Sequence, residues 1–475
     1  MSDNINAEGE RFIPGPKCDN FASHYTLSRS EISRAGISDT TANNVNIALN
    51  FERSNWATNS VTVDPFYIVP PSNRNQSFLP PGSLLSVEEI SNTSLYAVPP
   101  SVSLSRILYQ TSTLNGTAIT ASAYVLWPYL PRRFTNPNVT GLPVVGWAHG
   151  TSGVMSECAP SHLRNLWYQY KAPYVLALQG YVVVAPDYAG LGVGAFSTKE
   201  KNKVIRHPWL AAYAHANDLL YAVQAAQSAF PSISRSFVLM GHSQGGGAAW
   251  AAATQLAMSP VPGYLGTVVA APAPGGTDLL QLGLSGQQNL IGAFLGYGVW
   301  SQFPGMPIET IFTEAGAARL QLLRELGGCS SVATQLFATP SINYTQTGWI
   351  DGWAAQTYAS QSDYSGKQIA GPMLVLQGEA DPLAQEETTL RALNKTCEAY
   401  PLSQISYKSF GGVSHVPVLY AGQHIWLDWI EKRFEGVPVD SGCTQMTYES
   451  ARDLSSYSEA ANYYLQIVTE AYEDP

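Results

Sequence analysis

Gly241-His242-Ser243-Gln244-Gly245 has the Gly-x-Ser-x-Gly spacing that presents a serine for nucleophilic attack. In a chain with 40 glycines that pentapeptide alone is a weak signal, and its surroundings give it weight. Residues 237–240, Phe-Val-Leu-Met, read as a buried strand, and Gly245-Gly246-Gly247-Ala248-Ala249-Trp250 opens a helix of small residues directly afterwards. A sharp strand-to-helix turn of this kind holds its serine in a strained conformation and needs flanking glycines, because side chains there would strike the neighbouring strand and helix. A serine hydroxyl needs a base. Of eight histidines, His415 sits in Gly411-Gly412-Val413-Ser414-His415-Val416-Pro417, between a strand at 405–410 and a helix beginning near Ala421. His242 neighbours the nucleophile and is expected to point elsewhere, His149 belongs to another loop, and His424 falls within the last helix. The acid should lie between serine and base in the chain. Asp381 does, following the apolar run 373–376 in Gln377-Gly378-Glu379-Ala380-Asp381-Pro382, with Glu379 as the local rival. Negative charge on the tetrahedral intermediate calls for preorganised donors. The Gln244 amide at the helix start is one, and the Gly150–Thr151 backbone, in the loop Gly146 to Gly153, is the nominated second.

These residues need a sheet whose strand ends converge. Short, nearly all-apolar runs at 143–147, 181–185, 237–240, 267–271 and 373–376 read as strands buried on both faces. Helical stretches at 211–229 and 245–257 alternate with them, which predicts an α/β class with a mostly parallel central sheet and right-handed crossovers. Residues 104–110 and 118–127 alternate apolar and polar about Asn115-Gly116, a hairpin signal. Residues 1–65 read as a polar extension with one or two short helices, and proline-rich punctuation places the start of ordered structure near Val102. The core is assigned to 66–274 and 369–442. Residues 275–368, with a helix at 314–326, form an insertion expected to cap the substrate site, and 443–475 a tail that resumes helical periodicity through Tyr463 and Leu465 to Val468.

The composition limits the alternatives. Hydrophobic residues make up 45% of the 475, enough for a large core, and a net charge of −10 argues against nucleic acid. No apolar run reaches the roughly eighteen residues of a membrane span, and the first ten residues lack the apolar stretch of a secretory signal. Cys18, Cys158, Cys329, Cys397 and Cys443 are too scattered for a zinc site and fit two disulfides plus a free thiol. Sequons at Asn75, Asn92, Asn115, Asn138, Asn343 and Asn394 suit a secreted glycoprotein but also arise by chance in such a composition. The compartment stays open between secreted and cytoplasmic. No metal or organic cofactor is expected, and no obligate protein partner.

Taken in order, His149-Gly150-Thr151-Ser152-Gly153 with Cys158-Ala159-Pro160-Ser161, then Pro186-Asp187-Tyr188-Ala189-Gly190-Leu191-Gly192, then Gly241 to Gly246, resemble the secretory (lipase A-like) lipase family of the α/β-hydrolase superfamily. The resemblance spans roughly residues 64–443 and implies an α/β-hydrolase fold with an inserted helical cap over an acyl-binding tunnel. It also implies a Ser243, Asp381 and His415 triad and disulfides pairing Cys158 with Cys329 and Cys397 with Cys443, leaving Cys18 free. The long extension, the tail and the missing signal depart from that pattern, and fungal relatives include esterases that trim acyl groups from secondary metabolites. The expected function is serine-dependent hydrolysis of a small-molecule or lipid ester through an acyl-enzyme, with the lid touching a lipid–water interface. Acyl transfer or a metabolite-tailoring esterase is the alternative. A catalytically silent binding protein on the same fold is a third reading.

Overall fold

The computed structural model describes residues 23–69, 79–194, 204–284, 289–303, 305–337 and 339–457. Valine, isoleucine and leucine dominate the short apolar runs, and these become a ten-stranded sheet in the order β1-β2-β3-β5-β4-β6-β7-β8-β9-β10. The strands are β1 (Leu84–Glu88), β2 (Val102–Ser112), β3 (Ala118–Pro128), β4 (Leu142–Ala148), β5 (Val182–Pro186), β6 (Ile233–His242), β7 (Tyr264–Ala270), β8 (Met373–Gly378), β9 (Ile405–Phe410) and β10 (Cys443–Tyr448). β4 to β10 run parallel, while β1, β2 and β3 add an antiparallel flank. The hairpin between β2 and β3 turns at Gly116, whose φ of 80° supplies the positive angle that the Asn-Gly pair predicted.

Both faces of the parallel strands are covered, which explains their lack of alternation. Along β4, Val144 and Ala148 join one core with the helices Ala212–Ala229 and Gln244–Met258. Val145 and Trp147 join the opposite one with Tyr174 and Leu176, and with Trp426, Ile430 and Phe434 of the helix Gln423–Phe434. His242 pairs with Ala270, Ala270 with Leu376, and Gly378 with Phe410. That register brings the carboxyl ends of β6, β8 and β9 to one edge, and the chain leaving each end carries Ser243, Asp381 and His415 respectively.

Between β7 and β8 the described residues form five α-helices, Gly276–Leu282, Asn289–Gln302, Glu314–Leu326, Ser330–Phe337 and Trp353–Ser362. A disulfide joins Cys158, in the loop after β4, to Cys329 at the start of the fourth, and a second joins Cys397 to Cys443. Both match the pairing implied by the resemblance. Cys18 lies outside the described residues, as does Asn75.

Order begins well before Val102. The helices Arg29–Ala35 and Asp39–Ser54 start at serine caps, Ser28 and Ser38, and pack on the inserted helices. The buried Glu52 carboxylate accepts the backbone N–H groups of Cys329 and Val332 at 2.8 and 3.0 Å, a negative charge set at a helix N-terminus. Burial nevertheless raises its pKa to about 7. From Cys443 the chain forms strand β10, parallel to β9, and the helical periodicity read at 463–468 falls outside the described residues. Residues 458–475 lie outside the described chain. Among the described residues no helix is long and apolar enough to cross a membrane.

Candidate active site

β6 runs straight into the helix Gln244–Met258, and Ser243 alone makes the turn, with φ 57° and ψ −121°. A non-glycine residue held there costs about 1–3 kcal/mol and persists only where its surroundings over-determine it. They do: Ser243 N donates to Ala270 O, and Ser243 O accepts from the backbone N–H groups of Gly247 and Ala273. The flanking glycines are obligatory, because a Cβ on Gly241 would lie 2.0 Å from Gly245 O and one on Gly245 1.9 Å from Ala148 O.

His415 follows β9 and Asp381 follows β8. His415 Nδ1 lies 2.6 Å from Asp381 Oδ2, and Asp381 Oδ1 accepts the backbone N–H groups of Leu383 and Ala384, both at 2.8 Å. A carboxylate only accepts, so the imidazole proton sits on Nδ1 and Nε2 is left bare. Glu379 is exposed and turned to the Gly412 N–H at 3.0 Å, so Asp381, not its rival, meets the His415 ring. Ser243 and His415 line the same cavity, although among the described residues no hydrogen bond joins the serine hydroxyl to the ring. Such bonds are often long before substrate binds.

His424 is exposed on its helix. His149 is fully enclosed, stacked 4.3 Å from the Tyr188 ring, and burial lowers its pKa to about 4. His242 is more consequential than its adjacency suggested. Its Nδ1 accepts from Tyr168 OH at 2.5 Å and its Nε2 donates to the His415 carbonyl at 3.0 Å, so it ties strand β6 to the loop bearing His415. Burial holds its pKa well below the ordinary histidine value, which keeps it neutral.

Gly150 and Thr151 approach Ser243 from the loop after β4. A Cβ on Gly150 would come 3.2 Å from Ser243 Cβ and 2.0 Å from Tyr168 OH. The Thr151 hydroxyl accepts from Trp209 Nε1 and donates to Gln244 Oε1, each at 2.8 Å, so its one hydrogen is committed. The backbone N–H of Thr151 has no acceptor among the described residues, and that of Gln244, first in its helix, has none within it.

The cavity holds about 260 Å³. One wall comes from residues 166–169, Leu-Trp-Tyr-Gln, four consecutive non-glycine residues with φ between 40° and 57°. Trp167 and Tyr168 face the cavity from this left-handed turn, and Lys171, 5% exposed, follows two residues later. Leu282, Leu290, Ile291 and Phe294 of the inserted helices form the facing wall. Nothing in the sequence marked the left-handed turn, since none of its four residues is one that favours positive φ. Among the described residues no cluster of His, Cys, Asp or Glu is placed to hold a metal.

The strained Ser243 turn leaves a mostly parallel sheet whose later strands lead to Asp381 and His415, and residues 147–423 match the sequence profile of the alpha/beta hydrolase family. The chain belongs to that family. Among solved structures this hydrolase is similar to Candida antarctica lipase A in its closed state, with a TM-score of 0.64 and 18% identity over 81% of this chain and 91% of the lipase. It is also similar to LipA, a rice cell wall degrading esterase from Xanthomonas oryzae, with a TM-score of 0.56 and 19% identity over 76% and 98% of the two chains. A putative hydrolase from Legionella pneumophila aligns with a TM-score of 0.59 and 18% identity over 75% and 100%. At these identities the likeness concerns the fold. No curated protein matches the hydrolase.

Proposed function

We propose that this hydrolase cleaves carboxylic esters through an acyl-enzyme on Ser243. His415 Nε2 takes the serine proton as Oγ attacks the ester carbonyl, then passes it to the departing alkoxide. Water, deprotonated by the same nitrogen, then releases the acid and restores the serine. Asp381 fixes the histidine tautomer and stabilises the imidazolium. The amides of Gln244 and of the Gly150–Thr151 loop hold the oxyanion. The observation that carries the reading is the 2.6 Å contact between His415 Nδ1 and Asp381 Oδ2, which leaves a bare Nε2 in the cavity where the strained Ser243 turn opens.

The inserted segment, residues 275–368, is read as the cap, with its leucine, isoleucine and phenylalanine wall receiving the acyl chain. Trp353 and Leu284 of this segment are exposed, side chains suited to contact with a lipid–water interface. The cavity, about 260 Å³, is slightly smaller than the roughly 300–1,000 Å³ of most small-molecule sites. A series of p-nitrophenyl esters from acetate to palmitate should therefore be hydrolysed with kcat/KM peaking between butyrate and octanoate. A maximum at palmitate would show that the cavity extends beyond the apolar wall described, and no turnover of any ester would refute the reading.

A further inference from the structure

Five buried histidines among the described residues, His149, His162, His207, His215 and His242, have no part in the proton transfers just described, and two of them converge on the residue after Ser243. His207 and His215 are fully enclosed, with rings stacked at 4.9 Å and 19°. Their Nε2 atoms lie 2.9 and 3.2 Å from Gln244 Nε2. Gln244 Oε1 takes the Thr151 hydroxyl, which in turn takes Trp209 Nε1–H.

Hydrogen-bond logic fixes each proton in this set. His207 Nδ1 lies 3.1 Å from the Ala189 carbonyl, which can only accept, so the ring proton is on Nδ1 and Nε2 carries a lone pair. The Gln244 amide must therefore present its NH₂, with two hydrogens for two ring nitrogens. Its oxygen is thereby turned to Thr151, whose hydroxyl must donate. His215 takes the same tautomer because its Nε2 accepts from the Gln244 NH₂; its Nδ1 faces Asp218 Oδ2 at 3.6 Å, beyond hydrogen-bond distance, while Asp218 accepts from Thr111 Oγ1 and the Ala189 N–H. The arrangement needs both rings uncharged, and burial provides that, lowering the pKa of His215 to about 3 and that of His207 well below the ordinary value. A charged ring would point an N–H at the amide N–H and leave both without acceptors.

In the function proposed above, the backbone amides of Gln244 and of the Gly150–Thr151 loop hold the oxyanion, and the Thr151 and Gln244 side chains are joined to each other. We propose that His207 and His215 are positioning residues of the oxyanion hole. By presenting two bare nitrogens to Gln244 they hold its side chain, and through the Thr151 hydroxyl they set the spacing of the two donor amides before substrate arrives. Preorganisation of this kind acts on the transition state more than on the bound ester. The inference rests on the ester-hydrolase reading.

The test compares His215→Leu, which removes the acceptor, with His215→Gln, whose amide oxygen can take its place, and adds Gln244→Met, which keeps the backbone N–H and both histidines. Each is assayed on a p-nitrophenyl ester, with active sites counted by fluorophosphonate titration and affinity measured for a trifluoromethyl ketone, which forms a tetrahedral oxyanion on serine. His215→Leu and Gln244→Met should each lose about 10- to 100-fold in kcat per titrated site with KM within about twofold. Trifluoromethyl ketone affinity should fall in parallel, and His215→Gln should recover most of the loss. The proposal is overturned if kcat per site is unchanged, if the loss lies only in the number of titratable sites or in KM, or if His215→Gln is no better than His215→Leu. Failure of the wild type to label at Ser243 would instead overturn the hydrolase reading, and this proposal with it.

Discussion

Replacing Ser243 by alanine should lower ester turnover by on the order of 10⁵-fold while leaving the melting temperature within a few degrees of wild type. The size of the loss follows from covalent catalysis, because without Oγ no acyl-enzyme forms and only the binding and oxyanion contributions remain. The stability half follows from the turn itself. Its φ of 57° is held by backbone bonds to Ala270, Gly247 and Ala273, none of which involves the hydroxyl. Residual turnover above about 1% of wild type, measured on protein free of carry-over, would mean that another group attacks the ester.

Asp381→Asn should cost about 10⁴-fold in kcat, a magnitude set by the tautomer rather than by charge alone. Asp381 Oδ1 is already held by the N–H groups of Leu383 and Ala384. An asparagine would keep its carbonyl oxygen there and turn its NH₂ towards His415 Nδ1. The ring would then carry its proton on Nε2, facing the serine, and could not act as base. Glu379→Gln, in contrast, should change kcat less than about threefold, because that side chain reaches only the exposed Gly412 N–H. Steady-state kinetics of the two variants separates the candidates, and a larger loss in the Glu379 variant would reverse the assignment of the acid.

Much of this site was legible because its parts are local. The strand before Ser243 and the small-residue helix after it specify the turn by steric necessity, and the loop at 377–382 follows a run too apolar to be anything but a buried strand. What escaped depended on packing or on a weak pattern. β10, Cys443-Thr444-Gln445-Met446-Thr447-Tyr448, is an exposed edge strand without an apolar face, so no periodicity announced it. The amino-terminal helices are polar because much of their surface faces solvent, and their anchor, Glu52, is one buried acid whose partners lie some 280 residues away. His242, His207 and His215 could be listed from the sequence only as unused bases. Their roles come from which ring nitrogen faces which neighbour, a property of the fold. The Pro186 to Gly192 segment, which carried part of the resemblance, proves to supply Ala189, whose carbonyl sets the tautomer of His207.

The most direct measurement is covalent. Incubation with a fluorophosphonate, followed by proteolysis and mass spectrometry, should place a single adduct on Ser243, in the peptide containing Gly241-His242-Ser243-Gln244-Gly245, and none on the Ser243→Ala protein. An adduct on a different residue, or no labelling of an intact, folded wild type, would contradict the account.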